Sequence, residues 1–524
     1  MKSRFAFVVI IFGLAYVVLI GQLYKLQIKQ GAIFFEKAEA RESYLQNNIF
    51  KRGAIFVVDR EQKLIRIAVN KEFPVIYAVP KEIGQPEETA ELLAPIIGWK
   101  KEKLTAALSK PNDLFEQLLK KPSAEQVQSI KTLNLKGIYI GSQNFRYYPF
   151  QNLASQVLGF VGINEENNKP TGLYGLEKFY NDKLDTNEDL TLTLDLNLQT
   201  RAEEILAELI KKFEAAGGTI IIQQPTTGEI LALANKPDFN PNNYNQAELS
   251  AFLNPAVQGL YEPGSVLKII TMAAGLDSEK LTPETSFFDT GSVTLNGKTI
   301  ENWDKKAYGQ VTMTNVIERS INTGAVWAEK TIGHDLFYNY LVKFGLGEKT
   351  GIDLPQEQTG DLANLKNKQA QDIDFATASF GQGLAITPLE LISAFSAVAN
   401  GGNLIKPYLN AELKPKILRQ VISSETSQKL KEMMISAVEK AEVAAIANYR
   451  VAGKTGTAQV PDFKNGGYTS DSIHTYVGFV SNFTILIKLD KPQGAPLAGV
   501  TVVPVFKELA QFVLNYYNIP PDKL

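Results

Sequence analysis

The chain has 524 residues, which is too long for one compact domain and predicts two soluble domains with appendages. Its formal net charge of −2 argues against a nucleic-acid-binding surface, so we expect no nucleic-acid partner. The chain contains no cysteine, which excludes disulfides and thiolate metal sites. A Ser-His-Asp triad would need His334 or His474, the two histidines present, and we interpret both as structural. We predict no cofactor and no metal.

The first element in chain order is an apolar run without charges from Phe5 to Leu23. A run of this length spans a bilayer as a helix. A cleaved signal peptide and a buried soluble helix are the alternatives. We favour an uncleaved single-pass anchor in the cytoplasmic membrane, because no small-x-small cleavage site follows the run. The short tail of residues 1–4 places the N-terminus inside and the bulk of the chain outside the cytoplasm.

A mixture of short strands and helices follows the anchor and predicts a first extracytoplasmic domain, residues 24–187, here called the pedestal. Helices are predicted at 32–42 and 85–135, where Leu, Glu, Lys and Ala dominate. Short apolar runs bounded by turn residues predict strands, at 53–58, 64–69, 137–141 and 156–162.

The remaining region, residues 188–524, has strand patterns on both sides of a helical middle. Strands are predicted at 191–195, 218–223, 229–234, 451–460, 475–479 and 484–489. Helices are predicted up to 213, from 265 to 346 and from 503 to 517. This order indicates an α+β domain, in which an antiparallel sheet carries a helical insertion.

One serine alone, Ser265, is followed three residues later by lysine, in Tyr261-Glu-Pro-Gly-Ser-Val-Leu-Lys268. Serine is a weak nucleophile at its free pKa and needs an adjacent base. Positions i and i+3 of a helix share a face, so Lys268 can reach Ser265 if a helix begins after Gly264. The pattern therefore predicts a nucleophile and its base.

Two further motifs follow Ser265 in a fixed order: Ser320-Ile-Asn322 and Lys454-Thr455-Gly456-Thr457. Such a trio is typical of serine acyl-transfer enzymes of the penicillin-binding and β-lactamase type. Each shorter motif has a second copy, Ser142-Gln-Asn144 and Lys349-Thr-Gly351. We predict that Lys454 is the catalytic copy, because small residues on its strand allow another backbone to approach closely.

The whole chain resembles the class B penicillin-binding proteins, the monofunctional peptidoglycan D,D-transpeptidases. Outside the trio, the resemblance rests on stretches similar to pedestal and catalytic-domain signatures: Arg146-Tyr-Tyr-Pro149, Gly172-Leu-Tyr-Gly-Leu-Glu177, Pro225-Thr-Thr-Gly-Glu-Ile-Leu-Ala232, Gly381-Gln-Gly383 and Thr387-Pro388. It implies a penicillin-binding/β-lactamase-like transpeptidase fold for residues 188–524. The pedestal resembles the dimerisation-type domain, although its element Arg52-Gly-Ala-Ile-Phe-Val-Val-Asp59-Arg60 carries two extra residues.

The resemblance implies a role for each motif residue. Ser265 would attack the penultimate D-Ala carbonyl of a stem peptide, and Lys268 would take its proton. Ser320 would relay protons, and Asn322 would hold the substrate amide and position Lys268. The substrate carboxylate would be bound by the third motif, Lys454, Thr455, Gly456 and Thr457, and the backbone N–H groups of Ser265 and Thr457 would form the oxyanion hole.

Several alternatives stay open on the sequence. A D,D-carboxypeptidase or β-lactamase would share the acylation step and use water as acceptor. A membrane-anchored scaffold or β-lactam sensor would not be an enzyme. Within class B we favour a division-type over an elongation-type enzyme. The resemblance implies peptidoglycan stem peptides as substrate, β-lactam antibiotics as inhibitors, and a SEDS-type membrane glycosyltransferase and divisome proteins as partners.

Overall fold

A computed structural model describes residues 2–31, 51–111, 113–164, 166, 169–462 and 464–523. By contact density the chain divides into two compact units. The first comprises Met1–Arg52 with Asn70–Tyr147, and the second comprises Gly53–Val69 with Tyr148–Leu524. The helix predicted at 32–42 lies outside the described residues. The domain limits predicted at 23/24 and 187/188 stay predictions.

The helices of the described chain, in chain order, are α1 (Lys2–Tyr24), α2 (Pro86–Ile97), α3 (Lys101–Leu108), α4 (Ala124–Leu133), α5 (Ser155–Leu158), α6 (Gly175–Phe179), α7 (Asn181–Asp185), α8 (Leu196–Phe213), α9 (Pro255–Gln258), α10 (Lys268–Asp277), α11 (Met313–Arg319), α12 (Asn322–Ile332), α13 (His334–Lys343), α14 (Ala363–Lys366), α15 (Asp372–Ala378), α16 (Pro388–Ala399), α17 (Ser424–Ala441) and α18 (Ala498–Tyr516).

The strands are β1 (Ile55–Val58), β2 (Leu64–Ala78), β3 (Glu116–Lys120), β4 (Ile138–Tyr147), β5 (Val161–Ile163), β6 (Pro170–Gly172), β7 (Leu190–Asp195), β8 (Gly217–Gln223), β9 (Ile230–Lys236), β10 (Ser286–Asp289), β11 (Ser292–Leu295), β12 (Lys298–Glu301), β13 (Gly309–Thr312), β14 (Asn403–Ile405), β15 (Ile417–Gln420), β16 (Val451–Pro461), β17 (Tyr468–Val480) and β18 (Phe483–Asp490).

The N-terminal helix α1 carries the apolar run. Its continuation as a π-turn, Lys25–Lys29, extends the helical segment. Ile10–Lys29 is long and apolar enough to cross a membrane, and none of it is buried against the rest of the chain. This helix fits a single-pass membrane anchor, by length and composition.

In the first unit, helices α2, α3 and α4 pack on strands β3 and β4 and on the second half of β2. Their shared core contains Ile76, Leu93 and Leu104, each fully buried. Strand β3 was predicted as helix, and this prediction is wrong: Val75 to Ala78 of β2 pair antiparallel with Glu116 to Lys120. The pairing between distant segments overrides the local helical composition.

The second unit is built on a five-stranded antiparallel sheet in the order β16-β17-β18-β8-β9. Side chains alternate between its faces, as the strand period requires. Ile220 and Ile222 face a core shared with helices α8 and α18, whereas Ile221 faces the helices that carry the predicted motifs. The predicted α+β class is confirmed, with one sheet between two helical layers.

Two further predictions in the second unit are wrong. The segment 265–346 is not helical throughout, because two pairs of short antiparallel strands, β10 with β13 and β11 with β12, interrupt it. The segment 156–162 begins as helix α5 rather than as strand. Each of these four strands has four residues, which is too short for a strand period to be read from the sequence between the neighbouring helices.

Candidate active site

The predicted nucleophile lies at the start of a helix that begins as a 3₁₀ turn. Gly264–Leu267 form this turn, and the α-helix α10 begins at Lys268. The sequence predicts one α-helix over Ser265 and Lys268, but its first turn is a 3₁₀ turn. A 3₁₀ turn has three residues per turn, so positions i and i+3 eclipse and Ser265 and Lys268 still share a side. The half-buried Ser265 hydroxyl makes no hydrogen bond to any residue that the structure describes.

The base candidate Lys268 is fully buried and points to the second motif. Its Nζ lies 2.7 Å from the Ser320 carbonyl oxygen, 3.2 Å from Ser320 Oγ and 2.8 Å from Asn322 Oδ1. A charged lysine has three N–H donors and no lone pair, whereas a neutral one has two donors and a lone pair. Neutral Lys268 can therefore keep its bonds to Ser320 O and Asn322 Oδ1 and still accept a proton.

The second motif owes its shape to an unusual backbone conformation. Ser320 ends helix α11 with φ +56°, in the left-handed region that few non-glycine residues adopt. The turn lets the chain reverse within one residue, since α12 begins at Asn322. Both the carbonyl and the hydroxyl of Ser320 thereby face Lys268. Asn322 Nδ2 donates to Glu301 O at 2.9 Å, which leaves its Oδ1 for Lys268.

The third motif lies on the edge strand β16, which runs past the nucleophile turn. Lys454 Nζ lies 3.0 Å from Ser320 Oγ and 3.2 Å from Thr455 O. Close approach depends on glycine: a Cβ at Gly456 would lie 2.4 Å from the Pro263 carbonyl oxygen. This distance agrees with the prediction that small residues on the Lys454 strand allow another backbone to approach closely.

Burial sets the charge state of the two lysines. Lys454 is 4% exposed, and burial lowers its pKa to about 7. Burial also lowers the pKa of Lys268 well below the usual lysine value, and the nearby charge of Lys454 lowers it further. A lysine with such a depressed pKa can act as a general base near neutral pH.

The hydroxyls of the third motif have distinct environments. Thr455 Oγ1 lies 3.4 Å from Lys454 Nζ. Thr457 Oγ1 accepts a hydrogen bond of 3.1 Å from the Ala498 N–H at the start of α18. Because that bond uses a lone pair, the Thr457 hydroxyl proton stays available to an anionic ligand.

Sequence reasoning missed the residues that hold the nucleophile turn in place. Glu262 is 9% exposed and accepts hydrogen bonds from Gly383 N at 3.0 Å and from the Tyr468 hydroxyl. Burial raises the pKa of this carboxyl. Gly264 N donates to Gly381 O, and a Cβ at Gly381 would lie 2.1 Å from Gly264 O. Glu262 lies within the quoted nucleophile segment, but its partners come from distant segments.

The second copies of the motifs lie elsewhere. The sequence around Ser142-Gln-Asn144 is rich in glycine and asparagine and predicts a loop, but the segment lies on strand β4 of the first unit. Lys349 is exposed, and the two residues after it fold around a carboxylate of the same chain. Thr350 N donates to Glu357 Oε1 at 2.7 Å, and Gly351 N donates to Glu357 Oε2 at 3.1 Å.

The side chains of both histidines hydrogen-bond to residues outside the three motifs, although His474 lies opposite Thr457 in the pairing of β16 with β17. His474 is fully buried between Thr501 Oγ1 and Ser472 Oγ, and burial lowers its pKa to about 4. His334 Nδ1 lies 2.7 Å from Glu329 Oε1, and its ring stacks on Phe375.

Family comparisons agree with this arrangement. Residues 218–511 match the penicillin-binding protein transpeptidase domain, and residues 50–208 match the penicillin-binding protein dimerisation domain. Stage V sporulation protein D of Bacillus subtilis is 31% identical over 537 residues, which cover 92% of this chain and 81% of that protein. Peptidoglycan D,D-transpeptidase FtsI of Escherichia coli is 26% identical, with coverage of 99% and 93%.

Two solved structures share the fold of this chain. A putative peptidoglycan glycosyltransferase from Atopobium parvulum superposes with a TM-score of 0.65 at 32% sequence identity. The superposition covers 72% of this chain and 93% of that structure's chain. Penicillin-binding protein 2X from Streptococcus thermophilus shares the fold with a TM-score of 0.70 at 22% sequence identity. This superposition covers 89% of this chain and 80% of the Streptococcus chain. The chain belongs to the class B penicillin-binding proteins, as the sequence resemblance predicts.

Proposed function

We propose that the chain is a peptidoglycan D,D-transpeptidase that cross-links stem peptides through an acyl-enzyme on Ser265. One observation carries the proposal: a buried lysine of depressed pKa, Lys268, begins the α-helix one 3₁₀ turn after Ser265 and binds both Ser320 and Asn322. A weak nucleophile with an adjacent, largely neutral base is the requirement for acyl transfer.

In the acylation step, Ser265 Oγ bonds to the carbonyl carbon of the penultimate D-Ala while its proton passes to Lys268. The backbone N–H groups of Ser265 and Thr457 would stabilise the oxyanion; losing one such donor costs about 10²–10³ in rate. The tetrahedral intermediate then releases terminal D-Ala, whose amine receives a proton through the Ser320 hydroxyl. That hydroxyl is suited to the relay because it lies within 3.2 Å of Nζ of both buried lysines.

The terminal carboxylate of the donor stem would lie on strand β16. Lys454 supplies a positive charge, and Thr455 and Thr457 supply hydroxyl donors, while Gly456 keeps the strand close to the nucleophile turn. Asn322 would hold the substrate amide. β-Lactam antibiotics, which carry a carboxylate beside a reactive amide, would acylate Ser265 in the same way.

The reaction is tested by supplying the full chain in detergent with glycan strands that bear pentapeptide stems. A transpeptidase releases one D-Ala for each cross-linked dimer formed. D-Ala release without dimers would indicate a D,D-carboxypeptidase, and turnover of a β-lactam would indicate a β-lactamase. A chain that neither cross-links nor binds penicillin would be a scaffold, and one that binds penicillin without releasing D-Ala would be a sensor.

We also propose the membrane topology of the chain. Residues 1–4 form a cytoplasmic tail, residues 5–23 the span, and residues 24–187 and 188–524 the extracytoplasmic pedestal and transpeptidase domains. The support is the apolar helix α1 together with a substrate that lies outside the cytoplasmic membrane. Intact-mass measurement on the membrane fraction should give the full chain, and a species that begins after Leu23 would contradict a retained anchor.

A septal role and a partnership with a SEDS-type glycosyltransferase and divisome proteins complete the proposal. Tethering two proteins in one bilayer raises their effective concentration, so a modest interface suffices. The SEDS-type glycosyltransferase should co-purify with the full chain and not with a chimera in which residues 1–187 are replaced by an unrelated anchor and spacer. Imaging of a fluorescent fusion distinguishes septal from lateral placement, the latter being the elongation-type alternative.

A further inference from the structure

A cluster of three buried polar residues lies directly behind the second motif. Asp289 ends strand β10, Asn302 follows strand β12, and Thr323 is the second residue of helix α12. Their exposures are 1%, 2% and 6%. Burying polar groups to this degree costs free energy unless every donor and acceptor is hydrogen-bonded. The hydrogen-bond partners of the cluster therefore show which parts of the chain it holds in place.

Asn302 caps helix α12 from outside the helix. The N-cap residue of α12, Ile321, has no side chain that can accept a hydrogen bond. Asn302 Oδ1 instead accepts from the backbone N–H groups of Asn322 at 3.0 Å and Thr323 at 3.2 Å. The first N–H groups of a helix have no partner within it, so this amide oxygen satisfies two of them.

Asp289 in turn fixes the orientation of the Asn302 amide. Asn302 Nδ2 donates to Asp289 Oδ2 at 2.9 Å and to Lys306 O at 2.9 Å. Asp289 Oδ1 accepts from Thr323 Oγ1 at 2.6 Å, and its Oδ2 also accepts from Tyr308 N. Since acceptors surround Nδ2 and donors surround Oδ1, only one orientation of the amide pairs every group.

We propose that Asn302, oriented by Asp289, is a positioning residue for acyl transfer. It holds the backbone of Asn322, and with it the Ser320 turn, at hydrogen-bonding distance from Lys268. The inference deepens the proposed function and rests on it. Asn302 contacts none of the reacting atoms; it acts through Asn322, whose Oδ1 lies 2.8 Å from Lys268 Nζ.

The variant Asn302→Asp separates positioning from stability. It keeps the acceptor oxygen and the volume but places a second carboxylate against Asp289. The Asn302 Nδ2 atom that the new carboxylate oxygen replaces lies 2.9 Å from Asp289 Oδ2. Ionising both carboxylates there costs electrostatic free energy, so the pair retains a proton at low pH. That proton restores the donor toward Asp289, one of the two hydrogen bonds that Nδ2 donates, whereas at higher pH the two carboxylates repel each other and the cap moves.

The experiment measures the second-order rate constant of acylation by a fluorescent penicillin, in detergent with the full chain, at pH 5.5 and pH 8. Relative to wild type at the same pH, Asn302→Asp should lose about tenfold or more at pH 8 and recover most of this loss at pH 5.5. Asn245→Asp, at an exposed asparagine, is the matched control and should follow wild type at both values.

A purely structural role would lower the labelled fraction and leave the rate constant of the folded fraction unchanged. That result, or a rate loss of equal size at both pH values, would overturn the assignment. Wild-type chain that fails to label would overturn the proposed function and the assignment with it. Wild-type labelling with an unaffected Asn302→Asp would overturn the assignment alone.

Discussion

The hydroxyl oxygen of Ser320 lies 3.0 Å from Nζ of Lys454, although the two residues are 134 positions apart. One partner comes from a left-handed turn in the helical layer and the other from an edge strand of the sheet. The same oxygen also lies 3.2 Å from Lys268 Nζ. A single hydroxyl therefore connects two buried amines, which is the geometry that a proton relay between nucleophile and leaving group requires.

Replacement of Ser265 by alanine should abolish covalent labelling by fluorescent penicillin, because no other nucleophile is expected at the start of α10. Gel fluorescence of the wild-type and Ser265→Ala chains measures this. Ser250→Ala, at an exposed serine, should label like wild type. Labelling that persists in Ser265→Ala would show that the acylated residue is another one.

The two Lys-Thr-Gly copies should differ in their effect on acylation. Lys454→Ala should lower the acylation rate constant at least about tenfold, roughly 1.4 kcal/mol of transition-state stabilisation. Lys349→Ala should leave it unchanged, because Lys349 is an exposed side chain in a turn. The acylation rate constants of both variants test whether Lys454 is the catalytic copy. An equal or larger loss in Lys349→Ala would assign that role to Lys349.

The buried charge of Lys454 should make stability depend on pH. The pKa of Lys454 is about 7 because of burial, whereas an unfolded lysine titrates at about 10.4. Between these values the unfolded chain binds more protons, so this lysine's destabilising effect is complete below about pH 7 and fades as pH rises. Lys454→Met should therefore raise the unfolding temperature more at pH 6.5 than at pH 9.5.

Thermal unfolding of the detergent-solubilised chain at these two pH values measures the effect. Lys349→Met is the control and should shift the midpoint at neither pH, because its side chain is already solvated. A shift of the same size at pH 6.5 and pH 9.5 for Lys454→Met would mean that Lys454 keeps an ordinary pKa.

Gly456→Ala should slow acylation through backbone crowding. The added methyl would lie 2.4 Å from the Pro263 carbonyl oxygen, so strand β16 or the nucleophile turn must move. Overpacking of this kind costs typically about 1–3 kcal/mol. Gly499→Ala, where a Cβ meets no atom within 4 Å, is the control. Equal acylation rates in the two variants would show that the strand adapts without cost.

The sequence predicted those parts of the fold that depend on local pattern. The strand around Ile221 is predicted by its apolar run, the strand around Lys454 by a strand-like segment with small residues, and the motif residues by their order and spacing. Strands β11 and β12 were missed because four residues are too few for a period to be read, and strands β3, β10 and β13 because each pairs with a segment distant in sequence. Asn302 and Glu262 were missed for the same reason: their importance lies in hydrogen bonds to backbone groups that only the fold brings near.

The Glu357 carboxylate bound by Thr350 and Gly351 bears on how other sequences are read. A Lys-Thr-Gly segment has the donors to hold a carboxylate wherever the chain turns suitably, and here the copy at 349–351 is filled by an acidic side chain of its own loop. Searches for this motif in distant relatives would gain from a simple filter. The filter has to be structural, because Glu357 and Asp462 both lie eight positions after the lysine of their copy. A copy whose backbone N–H groups already bind a side-chain carboxylate is self-occupied, and a copy on a strand beside the nucleophile turn is the candidate for catalysis.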